Sequence, residues 1–262
     1  MNRLLALPAV FSLAVAVVVS KAVAAEAAET QVQEWITQAS AQLDPRAVDA
    51  LSRIHGRDRK LLALRAYLRA GDDLTTRWSW SQAQLLAYPN TAEGKEANAD
   101  INAVETAFAN ANPGFTARAN RMPRSLEVQI EHWNQNKLVS IVASQLVDSL
   151  THQFPNGAAE PAPDHIRQAL EAWQPTSAAP LAAPGLSAHG QGRAFDFQIE
   201  RKGQIVAGLD AATARKQWDA VGWTRKLHAA VVASGKPFKG PLQSPYEPWH
   251  YAYTPARAVD QQ

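Results

Sequence analysis

No cysteine occurs among the 262 residues. Without thiols the chain can have no disulfide framework, Cys-ligated zinc, iron–sulfur cluster, thiol nucleophile or lipid-modified N-terminal cysteine. Charge of one sign is scarce as well. Lys and Arg number 26 against 24 Asp and Glu, a surplus of +2, far below what a surface for nucleic-acid phosphates requires. Nucleic acid is therefore not an expected partner. What the chain does have is an apolar content of 46%, enough for a packed core, and a length that allows one or two domains.

The N-terminus accounts for the surplus charge. Arg3 gives a positive start, Leu4 to Val19 are almost all apolar, and Ala22-Val23-Ala24 or Val23-Ala24-Ala25 offers small residues for cleavage. This pattern predicts a secretory signal peptide over 1–25. Pro8 and Ser12 interrupt the apolar run, which falls short of the roughly 20 residues that span a bilayer, and no later stretch approaches that length. The mature protein is thus expected in the periplasm or cell envelope, with no stable membrane span. Arg3 and Lys21 are the only ionisable side chains in residues 1–25, so their removal leaves basic and acidic residues equal in number.

From 26 to 112 the pattern is helical. Val32, Trp35, Ile36, Ala39 and Leu43 recur at three- and four-residue spacing, and Asp44-Pro45 then ends one helix and starts the next. Val48, Leu51 and Ile54 continue the pattern. Leu61, Leu64 and Leu68 predict a third helix closed by Gly71, and Ile101, Val104 and Phe108 another that stops at Asn112-Pro113-Gly114. Within the segment 26–112, Trp78 and Trp80 could form a sugar-stacking platform, although aromatics on amphipathic helices are more often core. After Gly114 the period changes. Phe115 to Asn120 alternate as a strand, Leu126, Ile130 and Trp133 restore a helix, and Leu138 to Leu150 give another. Past a Pro- and Ala-rich loop from Pro175 to Pro184, Phe195, Phe197 and Ile199 alternate with polar residues, and Lys202-Gly203 turns the chain into Ile205 to Ala207 as a hairpin. Asp210 could cap a helix to about Trp218. A second helix is predicted from about Thr224 to Ser234, ended by Gly235, and Trp249 to Tyr253 as a last strand. The expected fold is α+β: a helical segment over 26–112, a small antiparallel sheet with flanking helices over 113–256, and a tail over 257–262.

The chemistry concentrates in Ser187-Ala188-His189-Gly190-Gln191-Gly192-Arg193-Ala194-Phe195-Asp196 and in Glu247-Pro248-Trp249-His250. Two imidazoles and a carboxylate can fill three positions of a tetrahedral zinc and leave the fourth open, as catalytic sites do. Glu247, three residues before His250, is then left over to accept and return a proton. Gly190 and Gly192 allow the chain after His189 to fold back tightly toward Asp196. Glu247 and His250 would point to opposite faces of a straight strand, so they converge only if the chain bends at Pro248.

Ser187, Gly192, Ala194 and Trp249 complete two signatures, S-x-H-x-x-G-x-A-x-D and E-x-W-H. Together they resemble those of the zinc D-alanyl-D-alanine peptidases, which include the vancomycin-resistance D,D-peptidases and belong with the lysostaphin-type and hedgehog-type domains. The H-x-H element of the lysostaphin-like endopeptidases is missing. The resemblance covers about Phe115 to Tyr253 and implies zinc on His189, Asp196 and His250, with Glu247 as the catalytic base. It also implies a hydrolase acting on the peptidoglycan stem peptide, of the D-alanyl-D-alanine carboxypeptidase type. Ser187 and Trp249 are candidate substrate contacts. Arg124-Ser125-Leu126-Glu127-Val128-Gln129 matches an R-S-x-x-x-Q segment whose Arg polarises the scissile carbonyl, although Pro123 stands where a tyrosine is common, and Arg118 and Arg121 compete for that role.

Two alternatives remain at this point: an endopeptidase using the same zinc site, or a non-catalytic wall- or partner-binding module that keeps it. Other hydrolase chemistries lack their residues. No lysine follows a serine by three positions, no H-E-x-x-H occurs, and Gly185-Leu186-Ser187-Ala188-His189 breaks a nucleophile elbow at its final glycine. Oligomeric state is not legible.

Overall fold

The computed structural model describes residues 26–155 and 161–255. The expected signal peptide over 1–25 and the tail over 257–262 lie outside the described residues. No helix among the described residues is long and apolar enough to cross a membrane. The fold is α+β, with a small curled antiparallel sheet and many helices.

Two compact units share the chain, one formed by residues up to Arg69 with Ser140–Pro175, the other by Ala70–Val139 with the residues from Thr176 onward. The boundary expected near residue 112 therefore falls inside the second unit. Its physical reason is the helix Ala92–Ala111, whose buried Ile101, Val104 and Phe108 belong to the core under the sheet.

In the first unit, helices α1 (residues 26–40), α2 (Pro45–Arg53) and α3 (Arg57–Ala70) follow the expected spacing. Val32, Trp35, Ile36 and Ala39 are buried, as are Leu61, Leu64 and Leu68. The Asp44 side chain accepts from Arg46 N at 2.8 Å while Pro45 takes the first helical position. Val48 departs from expectation: it is exposed, and Ala47 and Ala50 take the inward positions beside Leu51 and Ile54.

The second unit adds the short helices α4 (Leu74–Arg77) and α5 (Gln82–Ala87), then α6 (Ala92–Ala111), strand β1 (Thr116–Ala119) and helix α7 (Leu126–Gln135). The next helix, α8 (Lys137–Gln153), starts in this unit and continues into the first, where α9 (Pro163–Ala172) follows. The second unit resumes with β2 (Ala194–Arg201), β3 (Gln204–Ala207), α10 (Trp223–Ser234), β4 (Phe238–Lys239) and β5 (His250–Tyr253). In the first unit, α9 is tied down at its C-terminal end, where Arg65 donates to the Trp173 carbonyl and Arg69 to that of Glu171.

The sheet order is β1-β2-β5-β4, with β3 also on β2 and every pairing antiparallel. Lys202 and Gly203 both take positive φ, 50° and 76°, as the two-residue turn between β2 and β3 demands. Alternation divides the two faces. Phe195, Phe197 and Ile199 of β2, with Tyr251 and Tyr253 of β5, point into a core shared with Phe108 of α6 and with Trp223 and Leu227 of α10. Each large apolar side chain buried there contributes about 1.5–3 kcal/mol. Asp196 and His250 alternate with those residues and therefore lie on the opposite face. The helix expected after Asp210 is instead a 3-10 turn, Ala211–Thr213, followed by a π-helical turn, Arg215–Asp219. Asp210 still caps it, accepting from Ala212 N at 3.0 Å.

Candidate metal centre

Asp196 and His250 are direct cross-strand partners in the β2–β5 ladder. Phe197 N donates to Trp249 O at 3.0 Å, which makes the neighbouring Asp196 and His250 a non-hydrogen-bonded pair, the kind whose side chains lie closest. His250 Nδ1 is 3.0 Å from Asp196 Oδ1. His189 comes from the 3-10 turn Ala188–Gln191 and sets its Nε2 3.2 Å from His250 Nδ1 and 3.4 Å from Asp196 Oδ2.

Both glycines of the His189 segment are required, for different reasons. Gly192 takes φ +62°, which a side chain disfavours. Gly190 needs space instead: a Cβ there would sit 2.0 Å from Ser79 Oγ.

The donor set fits a metal ion. Bonds of ~2.0–2.1 Å to a tetrahedral zinc imply ligand–ligand edges of about 3.3–3.4 Å, close to the three distances observed. The group is shielded, with side-chain exposures of 14% for His189, 9% for Asp196 and 16% for His250. Burial pulls the His189 ring down to about 4, against an upward pull from Asp196, so its lone pair is free of a competing proton at neutral pH. Burial pushes the Asp196 carboxyl up, but the hydrogen bond with His250 and the electrostatic pull of the two imidazoles and Arg124 outweigh it, and the group stays below its ordinary value. His189, Asp196 and His250 can thus hold a metal ion.

Glu247 and Arg124 flank the group. Glu247 Oε2 lies 3.6 Å from His250 Nδ1, and burial raises its carboxyl above the ordinary value, opposed by His250 and Arg124. The bend expected at Pro248 is a turn in which His250 N donates to Glu247 O at 3.1 Å. Arg124 Nη2 is 3.4 Å from Asp196 Oδ2, while its backbone N donates to His189 O at 2.9 Å. Its two competitors are engaged elsewhere: Arg121 with Glu105 and Asn102, Arg118 toward Glu200.

All five residues line one cleft of about 830 Å³, and so do Ser187 and Trp249. Ser187 is half-buried at its edge. Trp249 is 3% exposed and packs on Trp218 with ring centroids 6.0 Å apart, so most of its surface serves the core.

Two supports lie outside the residues singled out from sequence. Gln129 is buried; its Nε2 donates to Ser79 Oγ at 2.9 Å and to Arg124 O at 2.8 Å, and its Oε1 accepts from Gly185 N at 2.9 Å. Tyr246, next to Glu247, donates to Asp219 Oδ1 at 2.5 Å. Gln129 stands in the matched R-S-x-x-x-Q segment, which was its only signal. Ser79, Asp219 and Tyr246 have no local pattern, because their partners are distant in the chain. Trp78 is buried beside Gly185, where its ring would meet any Cβ, so it forms no sugar-stacking platform with Trp80. Comparison with protein-family models, with curated proteins and with solved structures returns no match for this chain.

Proposed function

We propose that the chain is an exported zinc-dependent peptidase that hydrolyses the peptidoglycan stem peptide at a bond next to D-alanine, its second unit being a fold of the zinc D,D-peptidase kind. The support is one observation: two imidazoles and a carboxylate at metal-ligand spacing share a cleft with an unused carboxylate and a guanidinium. The two matched signatures and the leader-like N-terminus add the substrate class and the periplasmic or envelope location.

Zinc bound by His189, Asp196 and His250 would supply an acidified water, with pKa near ~7, and a Lewis acid for the scissile carbonyl. Glu247 accepts a proton from the attacking water and returns it to the leaving amine. Arg124 offers a permanent positive charge to the carbonyl oxygen as negative charge develops there. Gln129 and the His189 carbonyl hold the Arg124 backbone on either side, so the guanidinium is positioned before substrate arrives. Cleavage of peptidoglycan stem peptides, free or cross-linked, at a bond next to D-alanine by the zinc-loaded protein, abolished by chelation and by Glu247→Ala, is the expected result. Activity that survives either treatment overturns the mechanism.

A further inference from the structure

We infer that the bond cut is internal to an extended or cross-linked peptide, not the bond that frees a carboxy-terminal residue; the inference rests on the peptidase reading above. The cleft crosses β2. Arg124 and α7 lie on the side of β1, whereas Leu209–Ala212 and the Leu242–Glu247 segment lie on the side of β3 and β5. At about 830 Å³ it stands near the top of the ~300–1,000 Å³ range of ligand sites. It is large for a terminal dipeptide.

Charge decides between the two substrates. Removing a terminal residue brings a free α-carboxylate into the cleft, and a carboxylate drawn out of water needs a cation beside it. Among the described residues lining the cleft, Arg124 is the only Arg or Lys, and its guanidinium already faces Asp196 and the metal group. The acidic lining residues are Asp196, Asp210 and Glu247. The two positive charges of the ion would be balanced by Asp196, which holds it, and by Glu247, so the wall charge left beyond the metal group is that of Asp210; a substrate carboxylate there would meet like charge, which disfavours it. An amide-linked continuation carries no such charge, and the walls around Leu209, Ala211, Leu242 and Pro245 suit an uncharged chain. The reaction consumes one water: the C–N bond breaks, the acyl carbon takes the hydroxyl, and the amine of the following residue leaves with the proton.

The test compares two peptides with the zinc-loaded protein, following product masses. One is a stem pentapeptide with its D-alanine carboxylate free. The other has a D-alanine carbonyl joined in an amide bond to the amine of a second stem peptide. The cross-linked substrate is expected to show kcat/KM at least about tenfold higher. Asp210→Lys, at an exposed wall position with no part in the proposed proton transfer, is expected to shift that ratio severalfold toward the free acid. Equal or faster cleavage of the free acid overturns the inference and leaves the peptidase reading standing, and an unchanged ratio in Asp210→Lys overturns its electrostatic basis. Failure to cut either peptide with zinc bound overturns the peptidase reading and this inference with it.

Discussion

Asp196 and His250 face each other across the β2–β5 ladder, with Oδ1 3.0 Å from Nδ1. Strand register, not a flexible loop, sets this distance, so two of the three ligand atoms are in place before any ion arrives. Only His189 depends on a turn, and that turn is packed against Ser79 and Gln129.

Replacing a ligand should therefore remove the metal without unfolding the sheet. Asp196→Asn is expected to weaken zinc binding by more than the roughly 10–100-fold that losing an outer-shell partner costs. Equilibrium dialysis with metal analysis measures this, and unchanged affinity would place the metal elsewhere.

Gly190→Ala drives a methyl to 2.0 Å from Ser79 Oγ and 2.6 Å from Ser79 Cβ. A loss of about 1–3 kcal/mol is expected from this overpacking. Adding Ser79→Gly removes two of the three atoms within 3.0 Å, leaving Gln129 Nε2 at 2.8 Å, and should recover part of the loss in denaturant titrations. A double variant no more stable than Gly190→Ala contradicts the proposed contact.

Gln129→Leu removes bonds to Ser79 Oγ, Arg124 O and Gly185 N together. Leaving buried partners unsatisfied costs about 1–3 kcal/mol each before relaxation, so thermal stability should fall clearly. Peptidase activity should fall further than zinc content, because Gln129 bonds directly to the Arg124 backbone but touches the His189 turn only by packing.

Tyr246→Phe deletes the hydroxyl that Asp219 accepts at 2.5 Å. The expected stability change is about 0.5–1.5 kcal/mol. A lower kcat with unchanged zinc affinity is expected, since Glu247 is the neighbour that the bond steadies. A variant with wild-type kcat would show that the clamp has no part in placing the base.

Much of the site was legible because its residues keep strand alternation and short spacings. Phe195, Asp196 and Phe197 divide between the two faces as their pattern requires, and Pro248 makes the bend that brings Glu247 to His250. Local pattern failed where distant packing decided the outcome. Val48 carries an inward-looking periodicity, yet the small Ala47 and Ala50 fit the available space. Asp210 caps a turn as its type suggests, but the following residues adopt 3-10 and π geometry, with the Trp218 indole donating to Gly208 O at 2.8 Å. The boundary near residue 112 looked natural because the period changes there. Interleaved units are invisible to a windowed reading.

Tyr253 donates to the buried Asp100 carboxylate at 3.0 Å across 153 positions of sequence. At a synthesis rate of about 5–20 residues per second, α6 waits on the order of 10 s for that strand to emerge. During this interval α6 can meet β1, β2 and α10 but not β5, so the core it shares with Tyr251 and Tyr253 stays incomplete. The fold therefore closes last at the strand that also carries the candidate metal ligand His250, so core completion and assembly of the ligand group are one event.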